Sequence, residues 1–110
     1  MTPEGQVKKD IRAWLVSRGL QPAGYKRPAK MTGWFYMPAN NGMGVSGIPD
    51  FMGCIGPNAR MFSIEAKRPV GGKVRGVQEE RMKEIKDANG LVFVARSVDD
   101  ILELEKYLEN

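Results

Sequence analysis

The segment from Gly47 to Lys67 constrains this chain more than any other, because it reads as two strands joined by a turn whose register can be counted. Asp50-Phe51-Met52-Gly53-Cys54-Ile55 is one strand, Arg60 to Lys67 is the other, and Gly56-Pro57-Asn58-Ala59 lies between them. Proline pre-sets φ for the second turn position, and asparagine tolerates the corner that follows. In an antiparallel hairpin centred on the Pro57–Asn58 bond, residues equidistant from that bond are opposed, which sets Asp50 across from Glu65. Opposed side chains share a sheet face with Cβ atoms about 5 Å apart. Lys67 is two residues beyond Glu65 and therefore lies on the same face. Phe51, Ile55, Phe62 and Ile64 alternate onto the other face, which is predicted to be core.

Two carboxylates at that spacing repel each other unless a positive group lies between them. A divalent cation is the simplest such group. Hard oxygen ligands suit Mg²⁺ or Mn²⁺, which bind through one or two carboxylates and keep several waters. Lys67, a compact point charge, is then placed to orient a water or to neutralise an oxyanion. The alternative is an ordinary exposed Asp–Lys–Glu cross-strand cluster with no chemistry attached. The chain contains no histidine and one cysteine, which removes Ser-His-Asp and Cys-His catalysis, histidine-metal nuclease motifs and zinc sites. Any chemistry must run on carboxylates, Lys, Arg and amides.

Pro49-Asp50, fourteen residues, and then Glu65-Ala66-Lys67 resembles the signature of the PD-(D/E)XK phosphodiesterase superfamily. Within it, Gly47-Ile48-Pro49-Asp50, Ile64-Glu65-Ala66-Lys67 and the following Gln78 resemble the VRR-NUC nucleases, in particular their small stand-alone bacterial and phage forms. The likeness runs over nearly the whole chain. It implies a restriction-endonuclease-like αβββαβ core, with one metal ion on Asp50, Glu65 and the Ala66 carbonyl. It also implies an acidic residue of the first helix, here Glu4, reaching that site, and Gln78 beside it. The stand-alone forms act as homodimers on branched DNA such as Holliday junctions.

Along the chain, Thr2 and Pro3 open a helix as N-cap and first helical residue, and Gly19 closes it. Val7, Ile11, Trp14 and Leu15 form its apolar stripe, while Lys8, Lys9, Arg12 and Arg18 face away. Glu4 lies on the inward side, either as a first-turn acid favoured by the helix dipole or as a third acidic group at the metal site. Leu20 to Lys30 reads as a connector, in which Lys26 and Arg27 beside Tyr25 suit a nucleic-acid backbone or a solvated loop equally. Gly33 to Met37 is the first strand, and the loop from Pro38 to Gly47, with Asn40 to Gly47 read as mobile, leads into Asp50. After the hairpin, Lys73 and Arg75 stand in a glycine-bearing loop able to approach phosphates.

A second helix is predicted over Val77–Asn89, stopped by Gly90, with Gln78, Met82 and Ile85 on its buried stripe. Gln78 there is either a helix-end amide satisfied by backbone or a group at the active site. Leu91 to Ala95 reads as a central strand covered on both faces. Ser97 caps a last helix that Asp99 and Asp100 complement and that Ile101, Leu104 and Leu108 dock.

The element order, αβββαβα, predicts an α/β fold in one domain over residues 1–110, a mixed sheet flanked by helices with a further C-terminal helix. A net charge of +4 favours a phosphate-bearing partner without specifying one. With no apolar run of membrane length, no signal peptide or span is expected, and one cysteine points to a reduced cytoplasm, of a bacterial cell or a phage-infected host. The expected activity is metal-dependent hydrolysis of DNA phosphodiester bonds by Asp50, Glu65, Lys67 and Gln78, with Mg²⁺ or Mn²⁺ and no organic cofactor. Lys26, Arg27, Lys73 and Arg75 would hold phosphates. A non-catalytic nucleic-acid-binding module with a nuclease-like fold is the alternative, and a scaffold subunit the third. Trp34, Phe35 and Met37 are candidates for a dimer interface or for core.

Overall fold

The computed structural model describes residues 1–39 and 44–108. Its first helix, α1 (Pro3–Ser17), begins where the capping chemistry lies: Thr2 is extended, and its Oγ1 accepts the Gly5 N–H at 3.0 Å. Gly19, at φ +91°, turns the chain out of the helix. Five strands follow: β1 (Leu20–Pro22), β2 (Gly33–Tyr36), β3 (Phe51–Ile55), β4 (Arg60–Ala66) and β5 (Leu91–Ala95). Helix α2 (Gly76–Asp87) connects β4 to β5, and a 3₁₀ helix (Val98–Tyr107) ends the described chain.

Sheet order equals chain order, β1-β2-β3-β4-β5. The pairings β2–β3 and β3–β4 are antiparallel, whereas β1–β2 and β4–β5 are parallel. The central hairpin has the counted register, with Phe51 opposite Ile64 and Ile55 opposite Arg60. Its turn holds Gly56 and Ala59 at positive φ, and the Ala59 N–H donates to the Gly56 carbonyl at 3.1 Å.

Alternation along the strands gives the sheet two unlike faces. On one, Phe35, Phe51, Ile55, Phe62 and Ile64 pack with Val7, Ile11 and Leu15 of α1 and with Ile101 and Leu104 of the 3₁₀ helix into a single core. On the other lie Trp34, Tyr36, Met52, Cys54, Ser63 and Glu65, and α2 lies over the β4–β5 side of it. No helix among the described residues is long and apolar enough to cross a membrane.

Several expectations need correction. Leu20–Pro22 is an edge strand and not connector, because its parallel pairing with Gly33–Phe35 is a tertiary contact that no local pattern announces. Leu91–Ala95 is the other edge strand and not a central one. Its apolar run reflects the 3₁₀ helix and α2 packing against it, which covers its faces while one edge stays unpaired within the sheet. Helix α2 spans Gly76–Asp87, and the left-handed residue after it is Asn89, at φ 67°, ahead of Gly90. The last helix is 3₁₀, and Ser97 makes no side-chain cap bond; Asp100 Oδ2 instead accepts the Arg96 N–H at 2.8 Å. Val98, Ile101, Leu104 and Tyr107 are spaced by three, which lines them up at three residues per turn. Part of the loop expected to meet substrate, residues 40–43, lies outside the described residues.

Candidate active site

Asp50 immediately precedes β3 and Glu65 is the penultimate residue of β4, so the observed register carries them to facing positions at one end of the sheet. Asp50 Oδ2 accepts the Ala66 N–H at 2.8 Å, which ties this carboxylate to the strand bearing Glu65. Its other oxygen, Oδ1, lies 3.3 Å from Lys8 Nζ. Glu65 is only 4% exposed. Gln78 Nε2 donates to its Oε2 at 2.8 Å, and Lys67 Nζ lies 3.3 Å from the same oxygen. Lys67 is itself 8% exposed, a buried ammonium held against a buried carboxylate.

Gln78 is locked from both ends. At the third position of α2 its Oε1 accepts the Arg75 N–H at 2.9 Å, which orients the amide so that Nε2 faces Glu65. The backbone-satisfied and the site-directed readings of this residue therefore describe its two halves. The loop before Asp50 is pressed against the same helix start. Gly47 has φ +80°, and a Cβ there would stand 2.6 Å from the Val77 carbonyl oxygen and 3.1 Å from the Gln78 nitrogen. Gly47→Ala is expected to destabilise the protein by at least about 1–2 kcal/mol, from the left-handed backbone alone, and to shift Gln78 away from Glu65. Thermal melts of the variant check this, and an unchanged melting temperature would contradict it.

Burial is the largest influence on Glu65, followed by the neighbouring Asp50 charge, with a smaller push from Glu4. Together they raise its carboxyl from 4.5 to about 7 against the opposing pull of Lys67. The ionised form of Glu65 is thus disfavoured, chiefly by burial, even with Lys67 in contact. Three carboxylates, Glu4, Asp50 and Glu65, share two ammoniums, Lys8 and Lys67. Carboxylate oxygens are hard donors of the kind Mg²⁺ takes. Among the described residues no group of three or more His, Cys, Asp and Glu is placed to hold a metal ion. A Mg²⁺ site of the open kind needs only one or two carboxylates, its waters and substrate phosphate oxygens.

Two open clefts flank these residues. One, of about 810 Å³, is lined by Glu4, Lys67, Lys73 and Arg75 among others. The second, of about 500 Å³, is lined by Tyr36, Asp50, Met52, Glu65, Arg75 and Gln78 among others. Arg75 borders both clefts.

Asp50, Glu65, Lys67 and Gln78 are thus brought together, with Glu4 3.9 Å from Lys8 at the margin. What Ala66 contributes to Asp50 is its N–H. Lys73 and Arg75 border the site; Lys26 and Arg27 are exposed in the loop after β1, two strands away from β3, and line neither cleft. Lys8, expected to face away, is a site residue. Its signal was available, since it stands four residues after Glu4 and the two must share a helix face. Compared with protein-family models, with curated proteins and with solved structures, the chain matches none.

Proposed function

We propose that this chain is a Mg²⁺- or Mn²⁺-dependent nuclease that hydrolyses phosphodiester bonds in DNA, on the αβββαβ core of the VRR-NUC nucleases its motif resembles. One observation supports this: the hairpin register sets Asp50 and Glu65 at facing positions beside an open cleft, with Lys67 3.3 Å from Glu65 and Gln78 donating to it. Asp50 and Glu65 would hold the metal, with the Ala66 carbonyl and Glu4 as further oxygen donors. When bound, such an ion lowers the pKa of a water and offsets charge on the phosphoryl oxygens.

The chain's own groups supply the rest. Gln78 fixes the direction of the Glu65 carboxylate, and the Ala66 N–H fixes that of Asp50. Lys67, anchored on Glu65, presents its remaining protons to the attacking water or to a phosphoryl oxygen. The water oxygen bonds to phosphorus, the phosphorus–oxygen bond of the leaving strand breaks, and a proton ends on the leaving oxygen. Lys73 and Arg75 hold the backbone in the adjoining cleft. Coordinated cutting of two strands is simplest for a homodimer with two such sites on one face, which favours branched DNA such as a Holliday junction.

A second reading is favoured by one contact. Lys8 Nζ lies 3.3 Å from Asp50 Oδ1, so each paired carboxylate already has an ammonium and the cluster could serve a non-catalytic nucleic-acid-binding module. Assays of purified protein on linear and branched DNA, with Mg²⁺ or Mn²⁺ and with chelator, separate the two. Cleavage that requires the metal and is faster on branched substrate is expected. Undiminished cleavage in excess chelator would sink the metal mechanism, and no cleavage of any substrate would leave the binding module. Light scattering that shows a monomer with and without DNA would remove the dimer alone.

A further inference from the structure

The sheet face that carries Glu65 is covered by α2 only toward β4 and β5, and on β2 it presents aromatic rings to solvent. Trp34 and Tyr36 are 37% and 41% exposed, and their ring centroids lie 5.6 Å apart at an interplanar angle of 35°. The register places these rings in line with the carboxylates: Tyr36 pairs with Met52 and Trp34 with Cys54, so Tyr36 lies one strand over and two residues on from Asp50. With strands about 4.8 Å apart and about 3.4 Å per residue, the Tyr36 Cα is roughly 8 Å from that of Asp50, and the Trp34 Cα is roughly 14 Å away. Tyr36 also lines the cleft that holds Asp50, Glu65 and Gln78.

From this geometry we infer that Trp34 and Tyr36 form a stacking platform for unpaired nucleobases next to the scissile phosphate. Aromatic faces stack any base, but only one not enclosed in a duplex, where the grooves offer edges alone. The cleft between platform and carboxylates carries Arg75 at its rim, so it offers apolar faces with a cation for the backbone. A second copy of the chain fits this face less well, because a sheet docked over Tyr36 would close the cleft on Asp50 and Glu65 and desolvate both. The preferred DNA is therefore one with unpaired nucleotides beside the cut, such as a flap, a bulge or an opened branch point. The platform rests on the nucleic-acid reading of the site.

The test is a binding measurement in chelator, which needs no cleavage. In a Trp14→Phe background Trp34 is the sole tryptophan, and its fluorescence is followed against a short single-stranded oligothymidine and a fully paired duplex of the same length. Quenching by the single strand is expected. Trp34→Ala should weaken single-strand binding by about fivefold to a hundredfold and leave duplex binding unaltered. Trp34→Phe, which keeps a ring, should retain most of the affinity. Single-strand binding without quenching and unaffected by Trp34→Ala overturns the platform, as does binding of neither oligonucleotide. A Trp34→Ala variant that turns a dimer into a monomer in light scattering overturns it too, and assigns the face to a second copy. Quenching by single strands in a protein that cuts no DNA would instead sink the nuclease reading and leave the platform standing.

Discussion

Glu65→Gln is expected to make the metal-free protein more stable at pH 8 while removing cleavage. In the native state the Glu65 carboxyl is raised from 4.5 to about 7, so between those values the folded chain binds more protons than the unfolded one. Its contribution to stability is therefore full below about pH 4.5 and is lost as pH rises through about 7. At pH 8 the ionised group costs about 3 kcal/mol. Glutamine removes that charge and can still accept the Gln78 N–H. The melting temperature of the variant should exceed that of the native protein at pH 8 by roughly 10 °C, with the gap closing toward pH 4.5. Groups remote from the site titrate alike in both proteins, so the difference between the two melting curves reports Glu65 together with its coupled neighbours Asp50 and Lys67. Parallel curves across this range would show that Glu65 carries no such burden.

Lys67→Ala should lower single-turnover cleavage by about two to four orders of magnitude, the range lost when a positioned proton donor or acceptor is removed. Metal binding should survive, with one dependence on pH. Lys67 pulls the Glu65 carboxyl down, so without it the proton competes longer for that carboxylate. Calorimetric titration with Mn²⁺ should show weakened affinity at neutral pH that recovers above it, while the cleavage defect persists at both. A variant that cuts at the native rate would remove Lys67 from the chemistry. Loss of metal binding at every pH would make it a structural partner of Glu65.

The hairpin was legible because its determinants are local. The turn residues lie between the strands, and alternation with a period of two allows a single register that buries Phe51, Ile55, Phe62 and Ile64. The cap of α1 was legible for the same reason. Strand β1 was not: Leu20-Gln21-Pro22 has no alternation, and all three residues are buried by neighbours distant in sequence. For β5, composition reports how many faces are covered but not whether both edges are paired, so an edge strand between two helices reads as a central one. Lys8 reads as outward-facing on charge alone, although Glu4, four residues earlier on the same helix face, is directed inward. The platform on β2 was equally hidden, since Trp34 and Phe35 look alike as apolar residues and only the sheet shows that one is exposed and the other buried.

Helix α2 has no fully buried residue along its length, yet it carries Gln78 and begins beside Arg75. Strands β3 and β4 are held by pairing on both sides and by the core, whereas α2 is held by half-buried side chains and a few polar contacts. The opening free energy of α2 must therefore lie below that of the sheet, and its amides should exchange with deuterium well before those of Phe62 and Ile64. Each such opening withdraws the amide that directs Glu65 and loosens the cation that borders both clefts in a single event. A ligand spanning both clefts would slow that exchange selectively, so protection of α2 becomes a direct gauge of occupancy on the side of the site away from Trp34 and Tyr36.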